Sequence, residues 1–304
     1  MNKKLRYFKR SIPFYIMFLP AFIYFLINNY LPMFGIIMAF KNVSFRDGII
    51  NSPWVGLTNF KFLFASADAW LITRNTVLYN VVFLVLGQLL GIFVGICLSE
   101  VRNKKAARVY QTLILLPHLM SMVIVSYLAN AILNENYGLL NRILVVLGGE
   151  AINWYADAAY WPYILTIIRI WASIGFSSVI YLSSIVGINE DYYEAACLDG
   201  ANKWQQIRHI TLPLIKPTTV TLIILGMGQM MRSDFGLFYL VPLNTGALFR
   251  TTQTIDTYVY RALMTLGNTG MSAAAGFYQS IVGFLLILGA NWLIRKLSRE
   301  LALF

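Results

Sequence analysis

Two of the chain's thirteen acidic side chains, Glu194 and Asp199, fall in one short polar island between two long apolar runs, with a third, Asp191, just upstream. The island reads Glu194-Ala195-Ala196-Cys197-Leu198-Asp199-Gly200 and is followed by Ile210-Thr211-Leu212-Pro213. These residue types suit recognition and not covalent chemistry. Glu194 can pair with a partner's cation, and Ala195 and Ala196 keep one helix face shallow enough for close backbone approach. Tyr192 and Tyr193 offer the large contact area that anchors interfaces, and Gly200 permits a turn. One reading is a docking element; the other is a solvated loop whose alanines merely favour helix.

A second polar group lies inside an apolar run: Gln229, Arg232, Asp234, Phe235 and Tyr239. Ionisable side chains at bilayer depth cost about 2.5–3.5 kcal/mol each on insertion scales, which points to a role. Gln229 lies one turn before Arg232 on the same helix face. A regular helix aims Arg232 and Asp234 apart, but Gly226, Gly228 and Gly236 permit a local break that brings them together. Rings at Phe235, Phe238 and Tyr239 with polar neighbours suit an uncharged ligand such as a sugar. The competing reading is a buried pair holding spans together, or an Arg232 that snorkels outward. Arg169, near the outer end of its run, is read as snorkelling.

Other chemistries find no support. His118 and His209 stand alone, without ligand-spaced partners, so no metal site is expected. Cys97 and Cys197 are not placed for an oxidising compartment, and Cys197 reads as a small, semi-buried helix residue. No nucleophile–base constellation can be assembled, so no catalytic residue is proposed.

The elements that must position these groups follow from composition. The 304 residues are 58% hydrophobic and only 12% charged. The apolar residues cluster in runs of about 20, long enough to cross a hydrocarbon core, and lipid demands that such spans be helices. Six spans are expected near Phe14–Ala39, Val77–Leu98, Thr112–Leu133, Pro162–Val186, Thr218–Leu240 and Ala273–Ile294. Lys3, Lys4, Arg6, Lys9 and Arg10 precede the first, which is too long for a signal peptide and reads as an uncleaved first helix. With the N-terminus cytoplasmic, inner segments carry fifteen Lys and Arg and outer segments seven. That bias puts both termini and the Glu194 island in the cytoplasm. It also accounts for the net charge of +11. Nucleic-acid binding is a poor alternative, because the basic residues are split among separate loops.

Along the chain, Thr58 is a candidate cap for a short interfacial helix over 59–64. Trp154, Tyr160 and Trp161 form an aromatic cluster expected at a membrane surface. Gly187, in the left-handed conformation, should end the fourth span. Asn189 should cap a new helix whose first turn carries Glu190 and Asp191, stopping at Gly200. A second polar helix is expected over 203–210, leading to Pro213 and Pro217. Together they form an L-shaped projection into water.

The spacing Glu-Ala-Ala, three residues, Gly, nine residues, Ile-x-Leu-Pro resembles the EAA loop of permease subunits of bacterial ATP-binding cassette importers, matched at Glu194, Ala195, Ala196, Gly200, Ile210, Leu212 and Pro213. Val55-Gly56-Leu57-Thr58-Asn59-Phe60, Leu116-Pro117, Gly138-x-x-Asn141, Trp171 and Tyr181-Leu182 are similar to the sugar-importing branch, for oligosaccharides and polysaccharide fragments in Gram-positive bacteria. One departure is that the maltose permease has extra spans and a large outer domain absent here. The resemblance implies an all-α type I importer permease of six transmembrane helices, a single domain over 1–304 whose core, about 70–295, carries the coupling loop 187–213. It implies a heterodimer with a second permease subunit, a cytoplasmic ATPase dimer and an extracellular sugar-binding lipoprotein, all at the plasma membrane. Tyr193, Glu194, Ala195, Ala196, Asp199, Gly200, Leu212 and Pro213 would couple to the ATPase. ATP and Mg would be bound by that partner; this chain lacks the Gly-x-x-x-x-Gly-Lys-Ser/Thr phosphate loop. A self-contained channel or secondary transporter is the rival class, though beyond Asp234 the spans offer almost no carboxylates for ion coupling.

Overall fold

The computed structural model describes residues 3–44, 46–65, 67–265 and 267–297. Among them the chain is helical, with no strand beyond an isolated antiparallel bridge between Lys41 and Trp54. Helix α1, Lys3–Phe25, continues through a π-helical turn at Leu26–Tyr30 and a 3-10 stretch at Leu31–Phe40. Then come α2 (Thr58–Ala65), α3 (Ala67–Ser99), α4 (Lys104–Leu115), α5 (Met122–Leu133), α6 (Leu139–Val146), α7 (Trp161–Val186) and α8 (Asp191–Leu198). Helix α9, Lys203–Gln206, is prolonged through Ile207–Thr211 and Leu212–Leu214. The chain continues with α10 (Lys216–Gly228), α11 (Ile255–Met264) and α12 (Thr269–Leu297).

Among the described residues, four stretches are long and apolar enough to cross a membrane unbroken: Ser11–Phe40, Ala69–Ser99, Trp161–Val186 and Thr269–Gly289. Two bent pairs raise the number to six: Lys104–Leu119 with Met122–Leu133, bent by 96°, and Lys203–Leu214 with Lys216–Gly228, bent by 54°. The outer surface is apolar, with Phe14, Met17 and Phe34 exposed, as suits a multi-pass membrane protein.

Two of the expected spans are not straight helices. The third bends sharply because Pro117 has no N–H to continue the ladder, and Ser121 starts a new helix by accepting the Val123 N–H at 3.3 Å. The fifth stops being α-helical at Gly228, and a short helical turn resumes only at Gly236–Leu240.

Contacts divide the chain into two compact units. The first comprises residues 1–66 and 259–277. Within it the Asn59 amide donates to the Ala39 and Lys41 carbonyls, both at 2.9 Å, fastening α2 to the end of the first long helix. Lys41 is buried, with its ammonium donating to the Ile49 and Ile50 carbonyls and lying over the Trp54 ring. Thr58 is not a cap accepting from the helix; it opens α2 and its hydroxyl donates to the Val55 carbonyl at 2.7 Å.

The second unit comprises residues 67–258 and 278–304. Its main pairing is α3 against α7. A Cβ on Gly91 or Gly95 would lie 2.9 Å from the Cβ of Ser177 or Tyr181, so the four-residue glycine spacing lets the two backbones approach closely. Trp161 is a core residue and not a surface one: it is fully buried and donates its indole N–H to the Trp154 carbonyl at 2.7 Å. The buried Asn141 amide binds the Glu135 and Ile152 carbonyls and accepts from the Trp154 indole, which is the local work of the Gly138-x-x-Asn141 signature.

Candidate functional site

The polar island folds as a short projecting helix with defined ends. Helix α7 ends at Gly187, which keeps a right-handed conformation (φ −76°) and needs no left-handed residue. Glu190, not Asn189, occupies the cap position, but Asn189 still accepts the Asp191 N–H at 3.1 Å. Asp191 and Glu194 lie in the first turn, favoured by the helix dipole. At the far end the Gly200 N–H binds the Cys197 carbonyl and the Ala201 N–H binds the Ala196 carbonyl at 2.8 Å, with Gly200 left-handed at φ +79°. This is the reciprocal closure that a glycine beyond a helix end makes possible.

The next helix starts with a capping box: Asn202 accepts the Gln205 N–H, and the Gln205 side chain accepts the Asn202 N–H at 2.7 Å. It runs past the expected end at Ile210 as far as Leu214. Two contacts lock the helices of the projection together. The Tyr193 hydroxyl meets the Thr211 hydroxyl at 2.9 Å, and the buried Gln206 amide reaches the Cys197 sulfur and the Ala201 carbonyl. Cys197 is therefore an exposed thiol with a backing contact, not a semi-buried filler. Lys203 pairs at 3.1 Å with Glu100, the residue just beyond the end of α3.

Glu194, Ala195, Asp199, Gly200, Leu212 and Pro213 are exposed, while Tyr193 and Ala196 are half-buried. The sequence reading missed two apolar side chains beside them. Leu198 is 90% exposed and Trp204 67%, an aromatic in an otherwise polar helix that could have signalled a contact surface. A cleft of about 330 Å³ between the two helices is lined by Ala196, Asp199, Gly200 and Gln205.

The second group sits where the fifth span opens. Gln229 closes α10, and both Gln229 and Arg232 are exposed. The expected break is present, but it does not bring Arg232 to Asp234. Asp234 pairs instead with Arg169 of α7 at 3.0 Å, so Arg169 does not snorkel. Asp234 also caps the turn that follows, accepting the Leu237 N–H at 3.1 Å. Phe235 and Tyr239 stack at 4.9 Å and stay partly exposed, whereas Phe238 is buried against Tyr79 and belongs to the core. The structure thus gathers Asp234, Phe235 and Tyr239 on one turn. Gly236 allows it to abut α5, since a Cβ there would lie 2.7 Å from that of Met122. Among the described residues no cluster of His, Cys, Asp and Glu could hold a metal ion.

Residues 1–299 match the family described as binding-protein-dependent transport system inner membrane component. The chain is 34% identical over 293 residues to protein LplB of Bacillus subtilis, covering 96% of this chain and 91% of that one. It is 37% identical over 286 residues to the polygalacturonan/rhamnogalacturonan transport system permease protein YteP of the same organism, covering 94% and 88%. A chain in the crystal structure of a bacterial ABC transporter involved in the import of the acidic polysaccharide alginate superposes with a TM-score of 0.89 at 31% identity, covering 98% of this chain and 100% of that chain.

Proposed function

The chain belongs to the binding-protein-dependent inner membrane component family, and on that premise we propose that it is the permease subunit of an ATP-driven oligosaccharide importer. The observation that carries this reading is the helix Asp191–Leu198. It ends at a left-handed glycine, is held to its neighbour by Tyr193, and presents Glu194, Ala195 and Leu198 outward. A rigid projection of this kind suits a groove in a cytoplasmic ATPase. Closure of an ATPase dimer would push the projection, and the Tyr193–Thr211 and Lys203–Glu100 contacts would pass the motion to α10 and α3. ATP and Mg would stay with that partner, and no chemical step falls to this chain.

Both termini would be cytoplasmic, with 1–304 acting as one permease domain in the plasma membrane of a Gram-positive cell, paired with a second permease subunit. An extracellular lipoprotein would deliver the sugar; a related alginate transporter has been crystallised with a pentasaccharide-bound periplasmic protein. Gln229, Arg232, Asp234, Phe235 and Tyr239 are assigned to the substrate pathway. Support comes from the exposed amide and guanidinium, and from the stacked pair of rings beside a non-helical segment. The opening itself suits such a role, since irregular backbone at membrane depth is tolerated only in protein or along a water-filled cavity.

The test is uptake into vesicles carrying the reconstituted complex, with labelled oligogalacturonates, alginate pentasaccharide and maltodextrins as probes. Uptake should require ATP and stop when the ATPase is omitted. Uptake that continues without either would make this chain a channel or secondary transporter.

A further inference from the structure

The break in the fifth span leaves backbone groups that a helix would have paired. Between the end of α10 at Gly228 and the turn at Gly236, the carbonyls of Met230, Met231 and Arg232 and the N–H of Ser233 need partners from elsewhere. Unmet, each would carry a heavy desolvation cost at this depth. Side chains from three separate helices supply them. From α3, the Asn80 amide donates to the Met230 and Arg232 carbonyls, both at 2.9 Å, and to the Thr76 carbonyl of its own helix. From α12, the Gln279 amide donates to the Met231 carbonyl at 2.6 Å. From α11, the Asp256 carboxylate accepts the Ser233 N–H at 2.6 Å and the Ser233 hydroxyl at 2.7 Å.

The three side chains are themselves tied together. Gln279 also donates to both Asp256 oxygens at 3.2 Å, so one amide bridges the carboxylate and the opened backbone. The Ser233 hydroxyl reaches Thr254, and the fully buried Thr76 accepts the Ile255 N–H at 3.0 Å, which sets the start of α11 beside α3. Asp256 has no cation partner among the described residues. Its charge is met by hydrogen bonds aimed at the break, an arrangement in which a carboxylate is well stabilised.

We infer that Asn80, Asp256 and Gln279 are positioning residues that hold residues 229–234 open in the one shape presented to substrate, which rests on assigning this segment to the substrate pathway. They need not touch the sugar. They replace the helix ladder with side-chain bonds, so the segment is non-helical and yet fixed. Its two flanking groups, Gln229 and Asp234, are then held at a set separation instead of sampling many.

Hydrogen exchange in the purified complex, read in the absence of sugar, tests this directly. In the wild-type complex the Ser233 amide should be protected to the level of the α10 amides; exchange at the rate of an open loop overturns the inference without any variant. Asp256→Leu and Gln279→Leu should each speed exchange over 230–233 by about tenfold, the size expected when a buried backbone group loses its partner. Asp256→Asn keeps an acceptor for Ser233 and should stay within about threefold of wild type by the same measure. If Leu and Asn at position 256 behave alike, the side chain merely fills space and positioning is refuted. The pathway assignment stands or falls separately, on uptake by Gln229→Ala, a variant that leaves every one of these bonds in place.

Discussion

Asp234 and Arg169, sixty-five residues apart in sequence, form an ion pair at 3.0 Å, while Arg232, two residues from Asp234, takes no part in it. The pair joins α7 to the turn beyond the broken fifth span. Asp234 uses its other oxygen to cap that turn, so one side chain fixes both the lateral partner and the local fold. Because the two side chains are 36% and 27% exposed, the ion pair alone is worth little, about 0.5–1 kcal/mol. The cap adds about 1 kcal/mol.

Asp234→Ala should therefore cost about 1–2 kcal/mol and reduce transport, while Arg169→Ala should cost less, because the cap survives. The exchanged pair Arg169→Asp with Asp234→Arg should recover the ion pair but not the cap. Thermal unfolding of the four complexes measures this; equal losses in the two single variants would place the whole effect in the ion pair.

Gly200 is left-handed and a Cβ there would meet nothing within 4 Å. Gly200→Asp should thus cost about 1–2 kcal/mol of local backbone strain without steric conflict. Membrane insertion should be normal, while association with the ATPase falls. Gly200→Asn, which tolerates this conformation and adds no charge, should be milder. Blue-native electrophoresis reports both; a Gly200→Asp chain that fails to insert would show that the residue serves folding instead.

The Tyr193–Thr211 contact joins α8 to the helix leading into α10. Tyr193→Phe removes one hydroxyl and should cost about 1 kcal/mol. Its effect should appear in coupling more than in binding: ATP hydrolysis persists while transport per ATP drops. Unchanged stoichiometry would mean that force passes by another contact.

Gly95 brings α3 within reach of Tyr181 on α7. Gly95→Val should overpack this seam and lower the stability of the complex by about 1–3 kcal/mol, occasionally more. Gly87, whose Cβ position is open, should accept the same change. The melting temperatures of the two variants, compared side by side, decide it.

Local signals were the legible ones. The projection was readable because glycine, asparagine and acidic residues mark helix ends wherever they lie, and Gly200 and Asn202 behave as their types require. The 96° bend had a signal too, Pro117 followed by Ser121, but apolar continuity concealed it. What could not be read were pairings made across the fold. Arg169 and Asp234 share no sequence neighbourhood, and nothing near Asn80 or Gln279 announces that their amides serve a segment some 150 and 48 residues away. Trp161 misled for a related reason, since an aromatic near a span end serves equally as membrane anchor or as core.

The docking of α8 on an ATPase is most directly tested by site-directed cross-linking in native membranes. Cys97 and Cys197, both exposed, are first replaced by serine, and Ala195→Cys then supplies the only thiol of the chain. A short photoreactive cross-linker attached to that thiol, which inserts on illumination into whatever chain lies beside it, should join position 195 to an ATP-hydrolysing subunit, and Glu194→Arg should weaken that product. If position 195 joins no such subunit while the assembled complex still imports sugar, the ATPase engages this chain elsewhere and the projection is not where force enters.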